Sequence, residues 1–150
     1  MDVTFLSELP SLMRNQLESV FFFNLKQAIW SKQISQVVEA HGVPEIREAN
    51  DKITLALRGN ADTQTVFGVN SQRPEILEGV IIYGRAHYAE ILVLHLALAR
   101  FQLATAPTPP ATGNPVNFLG LITAFTKLAK NIAGVKRLRF AYWNLAIPVV

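Results

Sequence analysis

Two long apolar runs lie almost back to back near the middle of the chain: ILEGVIIYGR, Ile76 to Arg85, and AEILVLHLAL, Ala89 to Leu98. Only Ala86, His87 and Tyr88 separate them, and a connection that short makes the pair antiparallel. From Ile91 to Leu98 the second run is apolar except for His95, with no alternation, so it reads as a central strand covered on both faces. Further on, Phe118, Leu121, Ile122, Phe125, Leu128, Ala129 and Ile132 recur at three- and four-residue spacing, the stripe of a helix built for burial. Asn114 and Pro115 suit its N-cap and first turn, and Gly134 its exit. VKRLRF, Val135 to Phe140, then alternates apolar and basic residues, and a right-handed crossover would return it beside the second strand.

Earlier in the chain the period is helical. DVTFL reads as a short strand, and Pro10 with Ser11 opens a helix whose apolar positions run from Met13 through Leu17, Val20, Phe21 and Leu25 to Ile29. A second, shorter helix follows through Ile34, Val37 and Val38 after a break near Ser31, and it stops at Gly42 and Pro44. Strand candidates come next at Ile53 to Arg58 and Thr63 to Val69, with a turn cluster at Gly59 to Asp62. The fold class expected is α+β: a single domain over residues 1–150, with a mixed, mainly antiparallel sheet, an N-terminal helix pair and one crossover helix.

Composition narrows the chemistry. At 150 residues, half of them apolar, the chain can bury one sizeable core. It has no cysteine, which excludes disulfides and thiolate chemistry, and His41, His87 and His95 show no paired spacing, so no metal site is expected. The net charge of +3 is uneven, because residues 91–150 hold six basic residues and no Asp or Glu. That basic half reads as a solvated helix face and a sheet-edge strand; with so few basic residues, nucleic acid is not an expected partner. MDVTFLSEL has neither a basic n-region nor an uninterrupted apolar run, so the expectation is a cytoplasmic protein without membrane contact. The three phenylalanines Phe21 to Phe23 then read as core plus an interface edge. The apolar tail YWNLAIPVV is expected either to extend the last strand across the domain or to pair with a second copy in a homodimer.

EGVIIYGRAHYAEILVLHLALA, Glu78 to Ala99, followed by FTKLAKNIAGVKRLRF, Phe125 to Phe140, resembles the GNAT acyltransferase superfamily. The likeness covers about half the chain and lies in hydrophobic pattern and in the helix-Gly-Val-Lys-Arg-Leu ending. It implies that acetyl-CoA or another acyl-CoA would lie where the central strand and its neighbour splay apart. The cofactor would run against main-chain groups at Leu96, Ala97 and Leu98, with its pyrophosphate at Gly113, Asn114, Val116 and Asn117. Glu90, in AEI at the head of the central strand, would be the general base that takes a proton from an amine. Burial among apolar neighbours would raise its pKa. Tyr142 or Tyr83 would stand in for the family's general acid, and Asn144 falls near a coenzyme-contacting position.

The residues also admit plainer readings. Glu90 can cap a strand end near Arg85, and His95 can be a hydrogen-bonded core residue instead of a base. The sequence departs from the family in the loop RFQLATAPTPPATGNPV, Arg100 to Val116, which holds one glycine and four prolines where an R/Q-x-x-G-x-G/A signature belongs. Each proline lacks an N–H, so donors for a pyrophosphate are few. The family also continues past its fifth strand, whereas this sequence stops at Val150. Three functions therefore follow: an acyl-CoA-dependent N-acyltransferase acting on a small-molecule amine or a protein acceptor; a non-catalytic GNAT-like binding or regulatory module; or an unrelated α+β interaction domain.

Overall fold

A computed structural model describes residues 3–99, 118–143 and 145–149. The expected α+β class is the observed one: a six-stranded, mainly antiparallel sheet carries a helix on one face and the N-terminal helical region on the other. β1 (Val3–Leu6), β5 (Thr63–Asn70), β6 (Leu77–His87), β7 (Glu90–Leu98), β8 (Arg137–Phe140) and β9 (Leu145–Pro148) lie side by side in that order. β7 and β8 are parallel and every other neighbouring pair is antiparallel. A second, three-stranded sheet joins β2 (Leu9–Pro10), β4 (Lys52–Leu57) and β3 (Pro44–Ala49). β3 escaped the sequence reading because half of PEIREA is charged; its register against β4 places Ile46 opposite Leu55.

The central hairpin is tighter than its sequence suggested, with only Tyr88 and Ala89 between β6 and β7. β7 is apolar from Ile91 to Leu98 except for His95, for the expected reason. α3 (Phe118–Ala129) sets Leu121, Phe125 and Ala129 against Val93, Leu96 and Leu98, while Leu17, Val20 and Val37 from the N-terminal region share a core with Leu94 and Ala97. The pairing steps from Ile82 opposite His95 to Tyr83 opposite Val93, so Leu94 is an extra residue in β7. That bulge turns the alternation by one position, which is why Leu94 and His95 both leave the α3 face.

The N-terminal helices are more broken than periodicity alone predicts. A 3-10 turn at Ser11–Met13, α1 (Arg14–Leu17) and a π turn at Glu18–Phe22 lead to a corner at Phe23 and Asn24. A 3-10 stretch at Leu25–Trp30 then runs into α2 (Ser31–His41). The tail does not extend β8. It folds back through residues 141–143 so that β9 pairs with β8 from Arg137 opposite Pro148 to Phe140 opposite Leu145.

α2 ends at Gly42, whose φ of 113° and ψ of 160° only glycine adopts without strain. A Cβ there would also run into the carbonyl oxygen of Arg58. Gly42→Ala is expected to lower unfolding stability by about 2 kcal/mol in urea titration. A change within about 0.5 kcal/mol would mean that the α2–β3 connection can rearrange.

Candidate functional site

The parallel β7–β8 ladder is short. It runs from Glu90 opposite Arg137 to Val93 opposite Phe140, and a last hydrogen bond joins the Ala141 amide to the Val93 carbonyl at 2.9 Å. Beyond that point β7 continues to Leu98 while the chain after β8 turns away, so the strands part over Leu94 to Leu98. The edge of β7 thus exposed carries main-chain groups that must find partners.

They find them in side chains. The Gln27 amide donates to the Leu96 carbonyl at 2.8 Å, and the Asn24 amide donates to the Leu98 carbonyl at 2.8 Å and to Val20 at 3.0 Å. Gln27 is buried, as expected of a polar group whose hydrogen bond is satisfied inside. The Tyr142 hydroxyl enters the gap from the β8 side, in reach of the Leu96 amide and 2.9 Å from His95 Nδ1. Burial pushes the phenol pKa far up and pulls that of His95 down to about 4, with the nearby charge of His41 adding to the latter. Tyr142 and His95 share one hydrogen bond, whose donor is set by the imidazole tautomer. Nε2 is buried without a hydrogen-bond partner among the described residues. Trp30 stacks 6.0 Å from Tyr142 and closes the aromatic wall.

At the other end of the ladder stands Glu90. Its Oε2 receives Arg137 Nε at 2.6 Å and its Oε1 lies 2.9 Å from Arg139 Nε, with His87 Nε2 3.8 Å from Oε2. Strand alternation explains the grouping, since Arg137 and Arg139 share the face of β8 turned away from Leu138, Phe140 and α3. The carboxylate is only 7 % exposed, yet what covers it includes two guanidinium groups that are themselves nearly half exposed. The hydrogen bond from Arg137 holds its pKa below the usual carboxylate value, outweighing burial. This corrects the expectation of a raised pKa: the apolar neighbours are present, but the arginines dominate. Glu90 is therefore a weak base at neutral pH, and its partner is Arg137 instead of the expected Arg85.

Glu90 and Tyr142 do not converge on one point. Glu90 faces the start of β8 and Tyr142 follows its end, five residues further, a separation of roughly 15 Å along the strand. Leu96, Ala97 and Leu98 are all buried; the Leu96 and Leu98 carbonyls turn to the parting, while Ala97 pairs with Val80 of β6. Gly113, Asn114, Val116, Asn117 and Asn144 lie outside the described residues. Tyr83 faces α3, packed on Phe125 and bonded to Gln64 Oε1 at 2.9 Å, away from the gap.

Asn24 and Gln27 were not legible as site residues, because the helical period treats both as surface positions. The one local signal is Asn24 itself, a capping residue that breaks the apolar run VFFFNL. A separate cavity of about 220 Å³, reaching from β7 over β6 to the start of β5, is lined by His41, Asn60, Asp62, Gly84, Leu92 and Leu94. No group of three or more metal-ligating side chains occurs among the described residues, and no described helix is long and apolar enough to cross a membrane. No protein-family model, curated protein or solved structure matches the chain.

Proposed function

We propose that this chain is a non-catalytic relative of the GNAT acyltransferase fold, a binding or regulatory module whose cofactor gap is filled from within. The observation that carries this reading is the capture of the Leu96 and Leu98 carbonyls by Gln27 and Asn24. An amide-bearing arm such as that of coenzyme A, lying along β7, would need those same groups. Tyr142, already engaged at the Leu96 amide and His95, narrows the gap further. As they stand, the described residues do not fit acetyl-CoA. The two arginines on Glu90 support the same reading, because a clamped carboxylate accepts a proton poorly.

Calorimetry with acetyl-CoA tests this directly. The expected result for the unaltered chain is no heat of binding up to about 1 mM, and a dissociation constant below that would overturn the reading. The double variant Asn24→Ala, Gln27→Ala releases both carbonyls. It is expected to bind acetyl-CoA measurably and to be about 2 kcal/mol less stable, from the two buried acceptors left unpaired.

A second reading keeps the enzyme: acyl transfer from acyl-CoA to an amine or protein acceptor. The parallel β7–β8 pair that parts after Val93 favours it. Formation of free thiol from acetyl-CoA with an amine acceptor present would select this reading.

A further inference from the structure

The two helical stretches that meet at Asn24 present an apolar corner to solvent. Phe23 is 71 % exposed, Leu25 89 % and Ile29 62 %, and Phe22 is exposed beside them. The corner is not a loose end. The Asn24 amide ties it to Val20 and to the Leu98 carbonyl, Asn24 Oδ1 accepts the Lys26 amide at 3.1 Å, and Gln27 anchors the next turn to Leu96. Of the three phenylalanines, only Phe21 has a place in the interior, edge-on to the His95 ring at 5.6 Å. Apolar side chains held outward by a satisfied backbone have a solvation cost that a partner would remove.

The charges around the corner say what kind of partner. Residues 19–38 hold Lys26 and Lys32 and no Asp or Glu. Of the acids flanking this window in sequence, Glu18 is paired with Arg14 at 3.4 Å and Glu39 lies ten positions beyond Ile29. Lys26 sits inside the apolar group and Lys32 one turn beyond Ile29, both exposed. A second copy packed here about a two-fold axis would bring these lysines toward their own counterparts. Four side chains also fall well short of the roughly 800 Å² per partner of a stable interface. An anionic surface that accepts apolar side chains without a matching pocket suits the corner better.

We propose that the Phe22 to Ile29 corner seats this protein on an anionic lipid surface. Phe23, Leu25 and Ile29 enter the boundary between headgroups and acyl chains, and Lys26 and Lys32 meet the anionic headgroups. Such seating needs no spanning helix and is independent of what the β7–β8 gap holds.

Co-sedimentation of the full chain with vesicles tests it. The protein is expected to pellet with phosphatidylcholine–phosphatidylserine vesicles, less so as salt is raised, and to stay largely in solution with phosphatidylcholine alone. The double variant Phe23→Ser, Leu25→Ser should weaken that binding about tenfold or more while leaving the melting temperature unchanged, because both side chains are exposed. No pelleting with the mixed vesicles, or equal pelleting of the variant, would overturn the proposal. Equal binding to neutral vesicles would remove the role given to the lysines. A dimer in sedimentation velocity that the same double variant dissociates would reassign the corner to contact between copies.

Discussion

Phe125→Ala is expected to cost about 3–5 kcal/mol of unfolding free energy, a fall in melting temperature on the order of 10 °C. Phe125 is 1 % exposed and fills the centre of the stripe that α3 lays on the sheet, between Leu121 and Ala129. Its ring meets Tyr83 edge-on at 5.1 Å and Phe5 at 6.2 Å, so it links the helix to β6 in the middle of the sheet and to β1 at the edge. The loss combines transfer of a phenyl group to water with the void left behind, and that void cannot close. The sheet beneath is held by ladders on both sides of β6, and α3 is fixed by its neighbours Leu121 and Ala129. Leu119→Ala on the same helix removes an exposed side chain and is expected to change stability by less than about 0.5 kcal/mol. Chemical denaturation of the two variants separates the burial effect from helix propensity; equal losses would mean that α3 is not docked as described.

Acidification should destabilise the fold before its carboxylates are protonated. Burial holds the His95 pKa at about 4 in the folded state, against 6.5 when exposed. Above pH 6.5 both states carry a neutral ring, and His95 contributes its full stability. Between 6.5 and about 4 the unfolded chain binds a proton that the folded chain refuses, so stability falls with falling pH by about 3 kcal/mol in all. Below about 4 both states are protonated and this loss levels off. The groups facing the ring agree with the direction: Tyr142 occupies Nδ1, Phe21 packs edge-on, and His41 opposes a second positive charge. Glu45, Glu75 and Glu90, whose pKa values are lowered by arginine hydrogen bonds or, for Glu75, first by its own backbone, lose stabilisation only as pH drops through the carboxylate range. His95→Gln should abolish the slope between pH 6.5 and 4.5 seen in urea titrations of the unaltered chain. The same slope in both proteins would show that another group is responsible.

How much of the site could be read in advance depended on whether its contacts are local. Glu90 was named because the likeness to the GNAT superfamily implies a general base at the head of the central strand, and its position at the head of β7 is observed. Its partners did not stand out. Arg137 and Arg139 lie 47 and 49 positions away, and only the parallel register of β8 brings them to the same carboxylate. Asn24 and Gln27 were hidden for a similar reason, since nothing in a helical stretch announces that its amides will serve carbonyls some 70 residues later.

By itself the sequence determined the element types and most of the sheet. The unbroken apolar run of β7, the three-residue gap before it and the stripe of α3 each have one economical solution, because burial is proportional to apolar area and periodicity says which face supplies it. Tertiary structure alone decided the rest: where β7 and β8 part, which side chains fill the parting, the fold-back of β9 onto β8 and the ionisation of Glu90 and His95. Those outcomes turn on hydrogen-bond geometry and on charges far apart in the chain. Hydrophobic spacing carries no record of either.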